Sequence, residues 1–205
     1  MRRHNAARNV VGQFAEAAGH HPELEKPGLL QPCPEQPNAA RRRPADVFLP
    51  SWTGGAPAAL DLAVTSPQRQ DLVQLAGTRA GAAAESYEAY KRMYLQTAED
   101  CASSGMAFVP MVAETSGGWG PSAMCTLKAF ARAAAIRSDS EPGVVLAERL
   151  QHLCTAIRRA NARAVLRRAS GAERAAPLGM ASALGTLAAA VVQPEPPGLG
   201  PAGGP

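Results

Sequence analysis

Two short apolar runs separated by a glycine- and proline-rich turn constrain this chain more than any other feature. In RRRPADVFLPSWTGGAPAALDLAVTSP, residues 41–67, residues 46–49 and 58–65 read as strands. Gly54-Gly55 between them is hairpin chemistry. Asp46 heads the first run and Asp61 lies inside the second, which is otherwise apolar on both faces, as a central strand would be. An ionised acid inside a sheet is costly unless it is paired, hydrogen-bonded or on a metal. The two aspartates therefore need a shared reason to be there.

The rest of the chain supplies helices around these strands. Residues 3–18 carry Ala7, Val10, Val11, Phe14 and Ala18 at helical spacing, and Gly19 is placed to stop that helix. Residues 22–43 are a proline-rich loop whose one strand-like piece is GLLQ, residues 28–31. RAGAAAESYEAYKRMYLQTAED, residues 79–100, reads as one long helix ending before SSG at 103–105. MAFVPMVAET, residues 106–115, is a strand in which Pro110 argues for an edge or a bulge. Helices are expected over 121–137 and 143–169, the latter with Leu146, Leu150, Leu153, Ile157 and Ala164 on one stripe. The expected fold class is α/β: a small mixed sheet flanked by helices, in the order α-β-β-β-α-β, with a C-terminal helical annex. Residues 1–170 form the expected domain, and 171–205 a small-residue-rich tail without pattern, largely disordered.

Composition narrows the function classes. Cys33, Cys101, Cys125 and Cys154 are far apart, with no C-x-x-C pair and no histidine at ligand spacing, so neither a zinc knuckle nor a disulfide scaffold is indicated. They read as buried or incidental thiols in a reducing compartment. No continuous apolar run reads as a signal peptide or membrane span. The formal charge is +4, and the basic residues are three lysines against eighteen arginines, a balance that fits nucleic acid. Arg158, Arg159, Arg163, Arg167 and Arg168, opposite the leucine stripe, are candidate phosphate contacts.

Facing residues of a hairpin lie about 4.5–5.5 Å apart, so Asp46 and Asp61 can converge on one point. Two carboxylates that close repel unless a cation lies between them, and hard oxygen ligands suit Mg²⁺ or Mn²⁺. On the long helix Tyr87, Lys91 and Tyr94 share a face, and a lysine ammonium there can stabilise charge developing on phosphate. The plainer alternative is an amphipathic helix with packed tyrosines and a snorkelling lysine. His20-His21 in its loop is expected to be solvated, Trp119 to be a packing anchor, and ETSGGWG lacks the lysine and spacing of a phosphate loop.

The run RPAD, then the acid-bearing strand LDLAV, then K-x-x-Y on the following helix, resembles the PD-(D/E)xK restriction-endonuclease superfamily. More narrowly it resembles the restriction-like endonuclease domain of non-long-terminal-repeat retrotransposon polyproteins. R-H-N-x-x-R at 3–8, RRRPADVFLPSW and FVPMVAETSGGW at 108–119 are similar to sequences in that group, and the resemblance covers residues 2–168. It implies Asp46 as the first acid, Asp61 as the second metal ligand and Lys91 as the catalytic lysine, displaced to the helix because Ala63 holds the usual position. Ala45, inserted in PAD, is a further departure from the pattern. Glu16 on the first helix is the candidate assisting acid, and Glu114, ending a strand near the sheet's active edge, a candidate third carboxylate. The implied activity is nicking of DNA with Mg²⁺ or Mn²⁺, in the nucleus when chromosomal DNA is the target, with a reverse transcriptase of the same element as partner. The chain carries neither that enzyme nor a zinc motif, so a fragment or relic of such an element is expected. The alternatives are a catalytically inactive nucleic-acid-binding relic of the same fold, and a structural or interaction domain.

Overall fold

The computed structural model describes residues 2–30 and 43–175, the side chains of residues 2, 3 and 170–175 excepted. Cys33, Gln31 of GLLQ and residues 176–205, most of the expected tail, lie outside the described residues. In chain order the elements are α1 (Arg2–Ala17), β1 (Glu23–Leu24), β2 (Val47–Leu49), β3 (Ala58–Thr65), α2 (Val73–Ala76), α3 (Ala82–Met93), α4 (Thr97–Ser103), β4 (Ala107–Glu114), α5 (Pro121–Ser138) and α6 (Pro142–Ala175). The described strands form one mixed sheet in the order β1-β2-β3-β4, flanked by helices. The chain divides into two compact units, residues 1–161 and 162–205, and the described part of the second is the C-terminal stretch of α6.

The β2–β3 hairpin follows from its turn. Gly54 and Gly55 take φ of 67° and 83°, a region favouring glycine, and Trp52 N donates to Ala56 O at 2.7 Å across the loop. The strands pair antiparallel with Val47 opposite Leu60, and β3 runs parallel to β4 with Asp61 opposite Pro110. A parallel pair needs a long crossover, here α2 to α4. Pro110 lies in β4, at the edge of the sheet, where a missing N–H is tolerated.

Strand alternation divides the core. Val47, Leu49, Ala58, Leu60 and Leu62 join Val11, Phe14, Leu127, Phe130, Leu153 and Ile157 in the main cluster. Phe48 and Ala59 point the other way, into a smaller cluster with Ala45, Cys101 and Met106. Asp61 shares the parity of Ala59, on the side of the smaller cluster.

Three expectations need correcting. The edge strand is Glu23–Leu24, not GLLQ: Leu24 packs where Gly12 of α1 leaves no side chain, and Lys26 lies 4.2 Å from the Phe48 ring centroid. Residues 28–30 are irregular, with Leu29 and Leu30 packed on the smaller cluster. The long helix over 79–100 is broken, because Leu95 and Gln96 take left-handed φ of 50° and 54°. That break redirects α4 and lets Cys101 reach the smaller cluster. His20 is not solvated; its ring lies 5.0 Å from Trp52 and 5.3 Å from Phe130, while His21 is exposed. Trp119 packs against the main cluster as an anchor, and α6 runs six residues past the expected end at 169.

Two fully or almost fully buried glutamates hold the helices on the sheet. Glu88 accepts from the Ser122 and Ala123 amides at 3.0 Å each, at the start of α5. Glu114 accepts from the Ala83 and Ala84 amides at 3.0 and 3.2 Å, at the start of α3, and from the Ser116 hydroxyl at 3.0 Å. A carboxylate is favoured there by the unpaired amides and the helix dipole. The glycines of SGGWG make room: a Cβ on Gly118 would run into Glu114, and one on Gly120 into Glu88. Gly120→Ala is therefore expected to destabilise the protein by about 2 kcal/mol or more, by pushing Glu88 off two buried amides. Gly143→Ala, whose Cβ would meet nothing within 4 Å, is expected to be neutral or to stabilise by up to about 1 kcal/mol. Thermal unfolding of both variants beside the wild type checks the pair, and equal midpoints for the two would remove the explanation.

Candidate active site

The β2–β3 pairing begins at Val47–Leu60, and Asp46 lies just before it, with its carboxylate against β3 beside Asp61. The Asp46 amide donates to Leu60 O at 2.9 Å, and the Leu62 amide donates to Asp46 Oδ2 at 2.7 Å, which holds the carboxylate against β3. Lys91 reaches down from α3 and donates from Nζ to Asp61 Oδ2 at 2.7 Å. Asp46, Asp61 and Lys91 are thus brought together. Their side chains are 14%, 15% and 22% exposed, so the group is shielded but not sealed.

A fourth member was not assigned a role from sequence. His4, in the first turn of α1, donates from Nε2 to Asp46 Oδ2 at 2.7 Å, and its Nδ1 faces Asn5 Oδ1 at 3.3 Å. With an acceptor at each nitrogen the ring suits the imidazolium form. The hydrogen bond from Asp46 raises the His4 pKa above its usual value, with burial opposing and the Asp46 charge adding to the rise. The available signal was its place in the R-H-N-x-x-R pattern; neither spacing nor periodicity links a histidine to an aspartate 42 residues away.

Burial pushes the Asp61 carboxyl up to about 6, against the charge and hydrogen bond of Lys91, while Asp46 adds to the rise. Burial alone would lower Lys91, but the adjacent Asp61 carboxylate more than offsets it and holds the ammonium above its usual value. Two cationic groups therefore flank two carboxyl groups across the site, in the order Lys91, Asp61, Asp46, His4. Among the described residues Oδ1 of neither aspartate accepts a hydrogen bond, which leaves one hard oxygen on each.

That donor set fits a magnesium- or manganese-type cation, which commonly takes one or two carboxylates and completes its shell with water and phosphate oxygens. Among the described residues no group of three or more His, Cys, Asp or Glu is arranged to hold a metal, so the protein would contribute the two aspartates alone. Glu114 does not join them: it lies four residues along β4 from the partner of Asp61, about 13 Å at the rise of a strand. Its oxygens are taken by the start of α3 and Ser116. Glu16 is also elsewhere, with a side chain 62% exposed beside His21. Ala63, two positions beyond Asp61, is partly buried and brings no charge.

Arg158, Arg159, Arg163, Arg167 and Arg168 of α6 are all exposed. Arg158 and Arg159 belong to the first unit, where Arg158 donates weakly to Ser116 O at 3.5 Å; Arg163, Arg167 and Arg168 belong to the second. Among the described residues no helix is long and apolar enough to cross a membrane. No family model, curated protein or solved structure matches the chain.

Proposed function

We propose that this protein is a metal-dependent endonuclease domain that hydrolyses DNA phosphodiester bonds at Asp46, Asp61 and Lys91. The observation that carries the reading is the meeting of two carboxylates, Asp61 on β3 and Asp46 held on the amide of the next β3 residue, with a lysine ammonium 2.7 Å from one of them. Such a set is costly to bury and has a direct use in phosphoryl chemistry.

A divalent cation held by Asp46 and Asp61 would polarise the phosphate and lower the pKa of a water. Asp61 must first be ionised, which its raised pKa makes a neutral-pH condition. His4 and the Leu62 amide fix the Asp46 carboxylate, so that its free oxygen is presented in one orientation. Lys91 places a fixed positive charge where negative charge grows on the phosphate, a role worth most in a shielded site. Arg158, Arg159, Arg163, Arg167 and Arg168 supply phosphate contacts that position the backbone without reading sequence. The retrotransposon resemblance adds nicking of nuclear DNA in concert with a reverse transcriptase.

A second reading, a nucleic-acid-binding relic without catalysis, is favoured by one feature: each aspartate already has an internal cationic partner. Incubation of the purified protein with supercoiled plasmid separates the two. The nuclease reading expects nicking that requires Mn²⁺ or Mg²⁺, stops with chelator and disappears in Asp61→Asn. Salt-sensitive binding without nicking selects the relic, and nicking that survives Asp61→Asn overturns the site.

A further inference from the structure

The helix that delivers Lys91 carries Tyr87 and Tyr90, and Tyr94 caps its C-terminal end; these three tyrosines, all that the chain has, form a column. Tyr87 and Tyr90 stack at 5.6 Å between centroids with planes 29° apart; Tyr90 and Tyr94 follow at 5.5 Å and 39°. Spacings of three and four residues place the rings on one face, with Lys91 four residues after Tyr87. The column ends one residue past α3: Leu95 and Gln96 turn the chain through left-handed conformations, so α3 does not run on past Tyr94 into α4. Tyr94 is 46% exposed, Tyr87 and Tyr90 are half-buried, and none belongs to either core cluster.

Rings that pack on one another outside both core clusters do little for the core. Planar π-faces are what an unpaired base needs, since every base has a face and stacking tolerates any sequence. A base inside a duplex has both faces covered by its neighbours. The charge beside the column also favours nucleic acid: Lys91 lies on the same helix at the aspartates, and exposed Arg92 donates to a neutral acceptor, the Ser122 hydroxyl, which leaves its positive charge for phosphate.

We infer that the exposed Tyr94 end of the Tyr87–Tyr90–Tyr94 column, backed by Tyr90, is a stacking platform for unpaired bases, and that the substrate presented to the adjacent site is single-stranded or locally unpaired nucleic acid. This rests on the nucleic-acid reading of the site and adds the substrate class to it. The test is fluorescence anisotropy with labelled single-stranded and fully paired oligonucleotides of equal length, in chelator so that no cleavage intervenes. Tyr90→Ala and Tyr94→Ala are each expected to weaken single-strand binding about tenfold while leaving duplex binding within about twofold. Tyr90→Phe and Tyr94→Phe, which keep the ring, are expected to bind single strands like wild type. Unchanged single-strand affinity in the alanine variants overturns the inference, as does equal damage by phenylalanine, which would make the hydroxyls the active feature. Absence of any binding also overturns it and leaves the column as a protein-contact face. Because binding is read without metal and nicking on plasmid, the outcomes separate: a protein that nicks but fails the alanine test keeps its proposed function and loses its platform.

Discussion

Lys91→Ala is expected to lower metal-dependent nicking by about a hundredfold or more while leaving the fold and Mn²⁺ binding largely intact. Lys91 is the cation that reaches Asp61, across 30 residues of sequence. Loss of one preorganised electrostatic group typically costs two to three orders of magnitude (about 10²–10³) in rate. Folding should survive because Lys91 is at the last turn of α3 and partly exposed, while the helix is anchored by Glu114 at its start and by Ala82, Ala83 and Ala84 in the interior. Removing the lysine leaves Asp61 without its partner, which further raises the cost of ionising it; Mn²⁺ affinity of the variant should therefore be compared above pH 7. Lys91→Arg is expected to rescue little, since a planar guanidinium is larger and its charge is spread over a fork. Single-turnover plasmid nicking beside Mn²⁺ titration checks both variants. A Lys91→Ala protein that cuts at the wild-type rate would remove Lys91 from catalysis.

Nicking is expected to fall about tenfold for each pH unit below 6 and to level off above it, because Asp61 must be ionised to hold a cation and its carboxyl is pushed up to about 6. The stability contribution of the same group has the opposite slope. A carboxyl raised in the folded state above its unfolded value of 3.8 favours the fold fully below about pH 4, and that contribution is lost as pH rises through about 6. Metal-free wild type should thus lose stability relative to Asp61→Asn between about pH 4 and 6, over the window in which activity rises. The difference in melting midpoint between the two proteins as a function of pH isolates the group. Parallel stability curves, or an activity edge near the ordinary carboxylate range, would mean that Asp61 is not the group that titrates.

The neighbouring aspartates were legible in the sequence because only local rules are needed to see them. A Gly-Gly turn fixes the hairpin, and the hairpin brings the residue before β2 beside the middle of β3, where the Asp46 carboxylate meets the Leu62 amide next to Asp61. The same kind of rule found α5 and α6, whose apolar stripes repeat at the helical period, and the edge position of β4, since Pro110 cannot donate to a ladder. The break at Leu95–Gln96 carried no glycine or proline to announce it, and local propensity favoured a continuous helix. The true edge strand is two residues long and depends on Leu24 finding the gap above Gly12.

Charged side chains divide along the same line. That some cation must accompany Asp61 follows from burial, but which one does is a matter of where α3 packs, and the start of α1 decides likewise that His4 meets Asp46. Glu88 and Glu114 look like any helix or strand glutamate in the chain. Only the packed fold turns them into caps for α5 and α3, and makes glycine at 118 and 120 a steric requirement. Periodicity and turn chemistry act between residues a few positions apart, so they can be read along a chain. A hydrogen bond between residues 30 or 42 positions apart depends on how whole elements bury their apolar faces against one another, and that is decided by the tertiary structure alone.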